Sequence, residues 1–226
     1  MQVDFNDGRT ICIDKPLEWT SFQVVKKLKY LTRAKKVGHA GTLDPLASGL
    51  LIICTGKHTK QIESYQAQTK EYTGVFKLGV ITPSYDRETE EEHIKSTDNI
   101  SVEQIHAAAA SFVGEQLQYP PIFSAVKIQG ERAYEKARRG EEVKVNPKMV
   151  TIESFDVEHV EMPYVHFRIV CGKGTYIRSI ARDFGEKLGC GAYMTELRRT
   201  RIGAFRVDEA YTIEQFEQFV KALKEA

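Results

Sequence analysis

The sequence predicts an α+β domain with a mixed, largely antiparallel central sheet flanked by helices. Strand-like and helix-like segments are mixed along the 226 residues without the regular alternation of a β-α-β fold. Two runs, Val150 to Val157 and Tyr164 to Cys171, predict a pair of neighbouring strands because apolar residues recur at alternate positions. The sequence contains no internal repeat and no long linker, so we expect a single domain over residues 1–226.

The composition excludes several classes of protein. It is 42% hydrophobic and 28% charged, which is ordinary for a globular chain, and no window reaches the roughly 18 apolar residues of a membrane span. The N-terminus lacks the pattern of a secretory signal, so we expect a soluble cytoplasmic protein. The six histidines and four cysteines show no metal-ligand spacing, which predicts no metal site. With a net charge of only +1, a nucleic-acid partner would have to be bound by local basic patches.

The first elements are a short strand and an amphipathic helix. Thr10 to Asp14 read as a strand, and Thr20 or Ser21 is expected to begin the helix because both residue types cap helix N-termini. Its buried face is predicted to carry Phe22, Val25, Leu28 and Leu31. Two basic runs stand out, namely Lys26, Lys27, Lys29, Arg33, Lys35 and Lys36, and Arg198, Arg199, Arg201 and Arg206. Each is most simply a solvated surface, and a nucleic-acid contact is the alternative.

Residues 38–49, with the sequence GHAGTLDPLASG, concentrate three glycines, His39 and Asp44 in twelve positions. Pro45 disfavours the helical region for Asp44, which places this residue in a turn or at a helix N-cap. Asp44 with proline at the next position could cap a short helical turn through Ser48, the usual role of such an aspartate. It could equally be a carboxylate held for chemistry. The apolar run Leu50 to Cys54 predicts a buried strand.

The remaining elements alternate between strands and helices. Residues 72–80 predict a strand and residues 82–86 the turn that follows it, before an exposed acidic loop. Ser101 and Gln104 predict a capping box that begins a helix stopped by Gly114, with Val102, Ile105, Ala109 and Phe112 apolar. Residues 118–148 are expected to form an insertion with a short helix carrying Tyr134, Lys136, Arg138 and Arg139. A helix containing Arg178 should end before Gly189, followed by a strand over residues 202–207 and a final helix from Thr212.

Several kinds of active site do not fit the sequence. The Gly-Lys-Gly-Thr segment at 172–175 lacks the glycine-rich cradle of a phosphate-binding loop, and the nucleophile elbow of a serine hydrolase is absent. What remains is a constrained aspartate, an arginine at a strand-to-helix junction, several tyrosines and the basic runs. A carboxylate can form covalent intermediates, an arginine can hold it ionised, and a tyrosine can stack on a base. These residues permit covalent catalysis on RNA without requiring it.

Residues 38–51, GHAGTLDPLASGLL, resemble the active-site motif of the TruB family, the tRNA pseudouridine-55 synthases. Three further segments are similar to family motifs in the family order. Lys-Glu-Tyr at 70–72, with Leu-Gly at 78–79, resembles the tyrosine-bearing strand, and residues 121–138 resemble the RNA-gripping thumb. Lys173 to Arg178 resembles the third motif. The resemblance extends over roughly residues 10–205, and several long motifs in order make a chance match improbable.

The resemblance implies a pseudouridine-synthase fold whose thumb-like insertion, residues 118–148, binds RNA. It implies that Asp44 is the nucleophile, that Tyr72 stacks on the target base and assists proton transfer, and that Arg178 pairs with Asp44. The reaction would break the glycosidic bond of uridine and rejoin the base through carbon. It would need no metal and no organic cofactor. Attack of the carboxylate on the ribose and attack on the base both remain open.

The same resemblance implies further contacts with substrate. His39 would fill the space that the flipped uridine leaves in the RNA, and Lys15 would belong to a Lys-Pro segment at the active-site cleft. Other candidate contacts with the tRNA T-arm are Lys35, Lys36, Lys173 and Tyr176. The family's acidic turn often carries paired aspartates, whereas only Asp86 stands at a matching place here, so its role is left open.

The implied partner is tRNA, with no membrane and no obligatory protein partner, and we expect a monomer. Many relatives carry a C-terminal PUA RNA-binding domain, which we expect this chain to lack. One alternative is a non-catalytic RNA binder or tRNA-folding chaperone, which would need the basic and aromatic residues but not Asp44. Another is the family's guide-dependent branch, which works inside a ribonucleoprotein and normally carries the PUA domain.

Overall fold

The computed structural model describes residues 4–123, 127–128, 131–132, 139 and 145–225. The chain divides into two compact units. Unit 1 comprises Met1–Tyr72 and Leu197–Ala226, and unit 2 comprises Thr73–Glu196. None of the helices in the described ranges is long and apolar enough to cross a membrane.

Strands and helices alternate irregularly, as the sequence predicts. The strands are β1 (Arg9–Lys15), β2 (Val37–His39), β3 (Ser48–Thr55), β4 (Lys70–Leu78), β5 (Gly114–Gln118), β6 (Lys127–Ile128), β7 (Glu131–Arg132), β8 (Lys148–Glu161), β9 (Tyr164–Cys171), β10 (Ala192–Ile202) and β11 (Phe205–Arg206). The helices are α1 (Ser21–Thr32), α2 (Ile62–Ala67), α3 (Val102–Ala110), α4 (Ile177–Lys187) and α5 (Ile213–Glu225), with 3-10 turns at Gly56–Gln61 and Val207–Glu209.

The sheet of unit 1 holds the motif of residues 38–49 at one end of its central strand. The strand order is β1-β3-β10-β4, with β2 also pairing with β3 and β11 pairing with β10. β1 and β3 are antiparallel, whereas β10 and β3 are parallel and align Arg199 with Gly49. Val24 and Leu28 of α1 and Phe216 of α5 pack on the fully buried Ile13 and Leu51 of this sheet. The motif therefore runs from the end of β2 to the start of β3 on a well-packed support.

Unit 2 is a mostly antiparallel sheet covered by aromatic side chains. Its strand order is β10-β4-β9-β8-β5, and β8 pairs antiparallel with both β9 and β5. The ring centroids of Phe76 and Phe167 lie 4.2 Å apart, and those of Phe155 and Phe184 lie 5.3 Å apart. Phe184 belongs to α4, so this aromatic cluster fixes α4 against the sheet. The predicted α+β class with a mixed, largely antiparallel sheet is confirmed.

Many element assignments are confirmed as well. Val165, Phe167, Ile169 and Cys171 are all buried along β9, as their alternation predicts. Thr20 caps α1 and Ser101 caps α3, each in a capping box. The buried run at 50–54 lies within β3, whose last seven residues are all buried.

Two predictions are wrong, each for a local reason. Phe22 is 70% exposed, whereas Val25, Leu28 and Leu31 of the predicted face are buried together with Val24. Of the two alternatives for Asp44, the turn is found and the helix cap is not, since β3 already begins at Ser48. The strand predicted over 202–207 is interrupted by a turn after Ile202, and the long strand β10 was not predicted. Most of the predicted insertion at 118–148, including its short helix, lies outside the described residues.

Candidate active site

Asp44 occupies a tight turn between β2 and β3. The Asp44 carbonyl accepts a hydrogen bond from the Ala47 amide at 3.1 Å, so Pro45 and Leu46 form the two central positions. Proline suits the first of these positions because its ring fixes the required φ. Leu43 and Ala47 are buried on either side, whereas Asp44 is only half-buried. The chain therefore anchors both neighbours of a carboxylate that keeps access to solvent.

Ser21 fixes the residue before Asp44. Its hydroxyl donates to the Leu43 carbonyl at 3.1 Å and accepts from the Leu43 amide at 2.9 Å, and both residues are buried. Ser21 is the first residue of α1, so the helix start and the turn are joined by one side chain. This reciprocal pair satisfies both main-chain polar groups of Leu43.

Lys15 fixes the residue after Asp44. Its ammonium donates to the carbonyls of Pro16 at 2.8 Å and Trp19 at 2.6 Å, and lies 3.5 Å from the Pro45 carbonyl, which also accepts from the Glu18 amide. The Lys15 side chain is fully buried. Burial lowers the pKa of Lys15 to about 8, while the Asp44 carboxylate favours its charged form. These contacts join Lys15 to the main chain beside Asp44, and its predicted contact with substrate stays a prediction.

Arg199 joins the same turn to the sheet from β10. Its Nε donates to the Leu50 carbonyl at 2.8 Å and one Nη to the Gly41 carbonyl at 3.1 Å. The side chain is 1% exposed. At Gly49, where φ is +103°, a Cβ atom would lie 2.3 Å from the Arg199 carbonyl, so only glycine fits this close parallel contact. Arg199 is thus part of the scaffold of the turn, and its burial contradicts a solvated position for this member of the basic run.

The other arginines of this run are also engaged. Arg198 forms a two-pronged ion pair with Asp14, at 3.0 and 2.7 Å, and Arg201 lies 3.6 Å from Glu71. Strand geometry explains the difference from the prediction, because alternate residues of β10 point to opposite faces. Consecutive arginines consequently have different partners and do not form one patch.

His39 is the last residue of β2 and pairs with Ile53 of β3. Its Nδ1 atom is buried and has no hydrogen-bond partner in the part of the chain that the structure describes. Burial lowers the pKa of His39, which favours the neutral imidazole. A neutral, partly exposed ring is suited to contact with a base.

Tyr72 lies at the start of β4, two residues after the buried Lys70. The Tyr72 side chain is 9% exposed. Glu71, on the opposite face of the strand, accepts a hydrogen bond from the Thr200 hydroxyl at 2.7 Å. The period of two therefore turns Tyr72 away from the Glu71 side of the sheet.

In unit 2, Arg178 and Asp86 form a buried ion pair. The Arg178 Nη1 and Asp86 Oδ2 atoms lie 3.6 Å apart, and both side chains are about 5% exposed. The same Nη1 donates to the Phe123 carbonyl at 3.0 Å and lies 3.4 Å from the Ser84 carbonyl. Asp86 also accepts the Glu88 amide at 2.9 Å, and its own carbonyl accepts the Thr82 hydroxyl at 2.7 Å. The predicted turn at 82–86 therefore positions Asp86 to hold Arg178.

Two polar side chains place the start of α4. The Gln118 side chain accepts from the Tyr176 amide at 2.8 Å and donates to the Tyr176 carbonyl at 3.1 Å. Ser179 donates to the Tyr119 carbonyl at 2.8 Å. Tyr176 is partly exposed and Lys173 is exposed, so both remain candidates for contact with RNA. These contacts fix the backbone immediately before Arg178.

The structure thus brings together Lys15, Asp44 and Arg199 in unit 1, and Asp86 and Arg178 in unit 2. Asp44 and Arg178 belong to different units, and their pairing stays a prediction. Lys35 and Lys36 are exposed after α1. Sequence reasoning missed the roles of Ser21, Gln118 and Arg199. In β10, Leu197 and Arg199 alternate with Arg198 and Thr200. This alternation places Arg199 on the same face as the apolar Leu197, and it was the available signal for an inward-facing arginine.

The chain matches known families along most of its length. Residues 29–177 match the TruB family pseudouridylate synthase (N terminal domain), and residues 178–226 match the tRNA pseudouridylate synthase B C-terminal domain. It is 50% identical over 222 residues to tRNA pseudouridine synthase B of Flavobacterium johnsoniae, covering 95% of this chain and 97% of that relative. It is 51% identical over 221 residues to the protein of the same name from Chloroherpeton thalassium, covering 95% and 92%.

A solved structure is similar over the same extent. A chain of the Cbf5-Nop10-Gar1 complex superposes with a TM-score of 0.77 and 31% sequence identity. The match covers 98% of this chain and 57% of that chain, so this chain spans somewhat more than half the length of the solved relative. The identities and the coverage by the first family domain lead to one conclusion: the chain belongs to the TruB family of pseudouridylate synthases.

Proposed function

We propose that this protein isomerises uridine to pseudouridine in tRNA, at position 55 of the T-loop, with Asp44 as the nucleophile. Family membership and the high identity to proteins named tRNA pseudouridine synthase B support the reaction and the class of RNA. The observation that carries the choice of Asp44 is its turn, in which Lys15, Ser21 and Arg199 hold the surrounding main chain. Because the main chain on both sides of Asp44 is held, its carboxylate is oriented for attack on a positioned substrate.

The reaction exchanges one bond to the ribose for another. The bond between N1 of the base and C1′ breaks, a bond between C5 and C1′ forms, the proton on C5 leaves, and N1 gains a proton. A nucleophilic carboxylate divides such a step into two easier ones. Since a stacked base is out of reach, the uridine must first be extruded from the RNA. Tyr72 would stack on the extruded base and assist proton transfer, and His39 would contact the loop that it leaves.

Arg178 would keep Asp44 ionised and oriented. The buried pair with Asp86 supports an orienting role, because Asp86 and the Ser84 and Phe123 carbonyls fix the position of the guanidinium. Charge-assisted hydrogen bonds to a carboxylate are the strong ones in proteins. Asp86 is then a positioning residue that acts through Arg178.

The tRNA would be held by residues outside the turn. Lys35, Lys36 and Lys173 are exposed cations, and Tyr176 is a partly exposed aromatic residue. The protein would act as a monomer, and the chemistry would use side chains alone, without metal or organic cofactor. No cluster of three metal-ligating side chains occurs among the residues that the structure describes.

The test uses an unmodified tRNA transcript that carries tritium at C5 of its uridines. Because the C5 proton leaves in the reaction, the protein should release one tritium per tRNA, and mapping should locate the pseudouridine at position 55. Binding without release would contradict the proposal and favour a non-catalytic RNA chaperone. Release of tritium from a different uridine would support the proposed reaction and contradict its assignment to position 55.

A further inference from the structure

The outward side of α1 carries basic and aromatic side chains together. Phe22, Lys26, Lys29, Tyr30 and Arg33, here called the outer face of α1, are all exposed. At 100° per residue, all five positions lie within about a third of the helix circumference. Arg33, the C-cap residue in the left-handed conformation, ends this face.

Among the described residues, no carboxylate forms an ion pair with a cation of this face. No acidic residue occurs between Glu18 and Asp44 in the sequence. In the described part of the chain, Lys26, Lys29 and Arg33 form no ion pair. Lys27, which points toward α5, is paired with Glu217 at 2.7 Å. The positive charge is therefore concentrated on the solvent side of the helix.

The aromatic residues on the same face are unusually exposed. Phe22 is 70% and Tyr30 is 78% exposed, although the opposite side of α1 buries Val24 and Leu28 completely. The outer face contains no aliphatic side chain. Three of its five residues are cations, whereas charged residues are depleted at the centre of a protein interface. Cations bind the phosphates of RNA and aromatic rings stack on its bases, so a face that carries both is suited to RNA.

The helix is also rigidly connected to the Asp44 turn. Ser21, adjacent to Phe22, bonds both main-chain groups of Leu43, the residue before Asp44. At the other end, Lys224 of α5 donates to the Leu31 carbonyl at 3.3 Å. From Lys26 to Arg33 the helix rises about 10 Å, enough to follow more than one phosphate of a strand. RNA bound along α1 would be held at a fixed distance from the turn.

We propose that the outer face of α1 is an RNA-binding surface that holds tRNA beyond the target nucleotide, its cations contacting phosphates and Phe22 and Tyr30 stacking on exposed bases. The inference rests on the proposed function only for the choice of tRNA as ligand. It assigns to α1 a contact separate from the residues that act on the uridine. Affinity from this face should fall with salt, because each phosphate contact releases counterions.

The test measures the dissociation constant of the full chain for an unmodified tRNA transcript at several salt concentrations, without turnover. The triple variant Lys26→Gln, Lys29→Gln, Arg33→Gln should weaken binding by about tenfold or more and lower the salt slope by about 2. Tyr30→Ala should weaken binding by about fivefold or more at an unchanged slope, since stacking involves no counterion. The matched control is Lys60→Gln with Lys221→Gln, two exposed lysines of unit 1 off this face, with a change of less than about twofold.

Equal affinity and slope in the wild-type protein and the triple variant would overturn the proposal. The proposal would also be overturned if these variants lost binding to phosphatidylserine vesicles while their binding to tRNA stayed unchanged. That result would identify the outer face of α1 as a membrane contact. Tritium release at saturating tRNA should stay within about twofold of the wild-type rate in the triple variant. Because binding is measured directly, a protein that binds through α1 but releases no tritium would contradict only the proposed function.

Discussion

Asp44 and Asp86 are both aspartates in tight turns, but the two units hold them in opposite ways. In unit 1 the contacts are made to the main chain on either side of Asp44, and its side chain stays half-buried. In unit 2 the contacts are made to the Asp86 side chain itself, which is buried against Arg178. The first arrangement places a half-buried carboxylate in a turn that its neighbours hold, and the second uses a buried carboxylate as support. Substitutions at the two sites should therefore differ in how much they lower the free energy of unfolding.

The largest expected effect is on the buried pair. Arg178→Met removes the cation beside a carboxylate that cannot reach solvent, and the free energy of unfolding should fall by about 3–5 kcal/mol. Urea denaturation measures this. Arg182→Met is the matched control in the same helix, since Arg182 is partly exposed, pairs with the adjacent Asp183 and lies over the Tyr85 ring. A loss of about 1 kcal/mol or less is expected there, and equal losses in both variants would contradict a special role for the Asp86 pair.

The next effect concerns the scaffold of the Asp44 turn. Arg199→Met removes donors from the carbonyls of Leu50 and Gly41, so unfolding should become easier by about 2–3 kcal/mol. Arg206→Met is the control, because Arg206 is exposed and its guanidinium forms an ion pair with the exposed Asp208. Its unfolding free energy should change by about 0.5 kcal/mol or less. If Arg199→Met behaved like this control, the buried contacts of Arg199 would contribute nothing to the turn.

The smallest effect is a pH dependence that arises from Lys15. Its pKa is about 8 in the folded protein and 10.5 ordinarily, so between these values the unfolded chain binds the proton that the folded chain has lost. The unfolding free energy of the wild-type protein, minus that of Lys15→Met, should therefore rise with pH across this window and stay level below pH 8. The expected rise is on the order of 1–3 kcal/mol.

Denaturation at pH 7 to 10.5 measures this difference. Subtracting the Lys15→Met values removes the contribution of every other titrating group, provided that the substitution leaves them in place. A level difference throughout would mean that the buried ammonium of Lys15 keeps its ordinary pKa.

The sequence was sufficient for the features that depend on local pattern. Alternation predicted β9, N-cap residue types predicted the start of α1, and a capping box predicted the start of α3. Pro45 restricted Asp44 to a turn or a helix N-cap. Features that depend on distant contacts were not accessible in this way. Nothing local to Asp44 indicates that Ser21 and Arg199, far away in the chain, bond to its neighbours.

The errors have the same origin. Phe22 was assigned to the core because its spacing from Val25 extends the apolar face of α1, whereas the contacts of α1 with the sheet do not reach it. The arginines at 198–201 were treated as one patch because they are adjacent in sequence. Parallel pairing of β10 with β3 turns Arg199 inward and leaves Arg198 beside Asp14. Ion pairs such as Arg178 with Asp86 depend on where two turns meet, which a single sequence does not specify.

The most direct test of this account is the single-turnover rate of pseudouridine formation by Asp44→Asn, with binding and unfolding measured on the same preparation. The substitution keeps the shape of the side chain and removes its nucleophilic charge. The rate should fall by about a thousandfold or more, while unfolding changes by about 1 kcal/mol or less and tRNA affinity by less than about threefold. A rate near that of the wild-type protein, or a loss that is explained by unfolding, would contradict the assignment of Asp44 as the nucleophile.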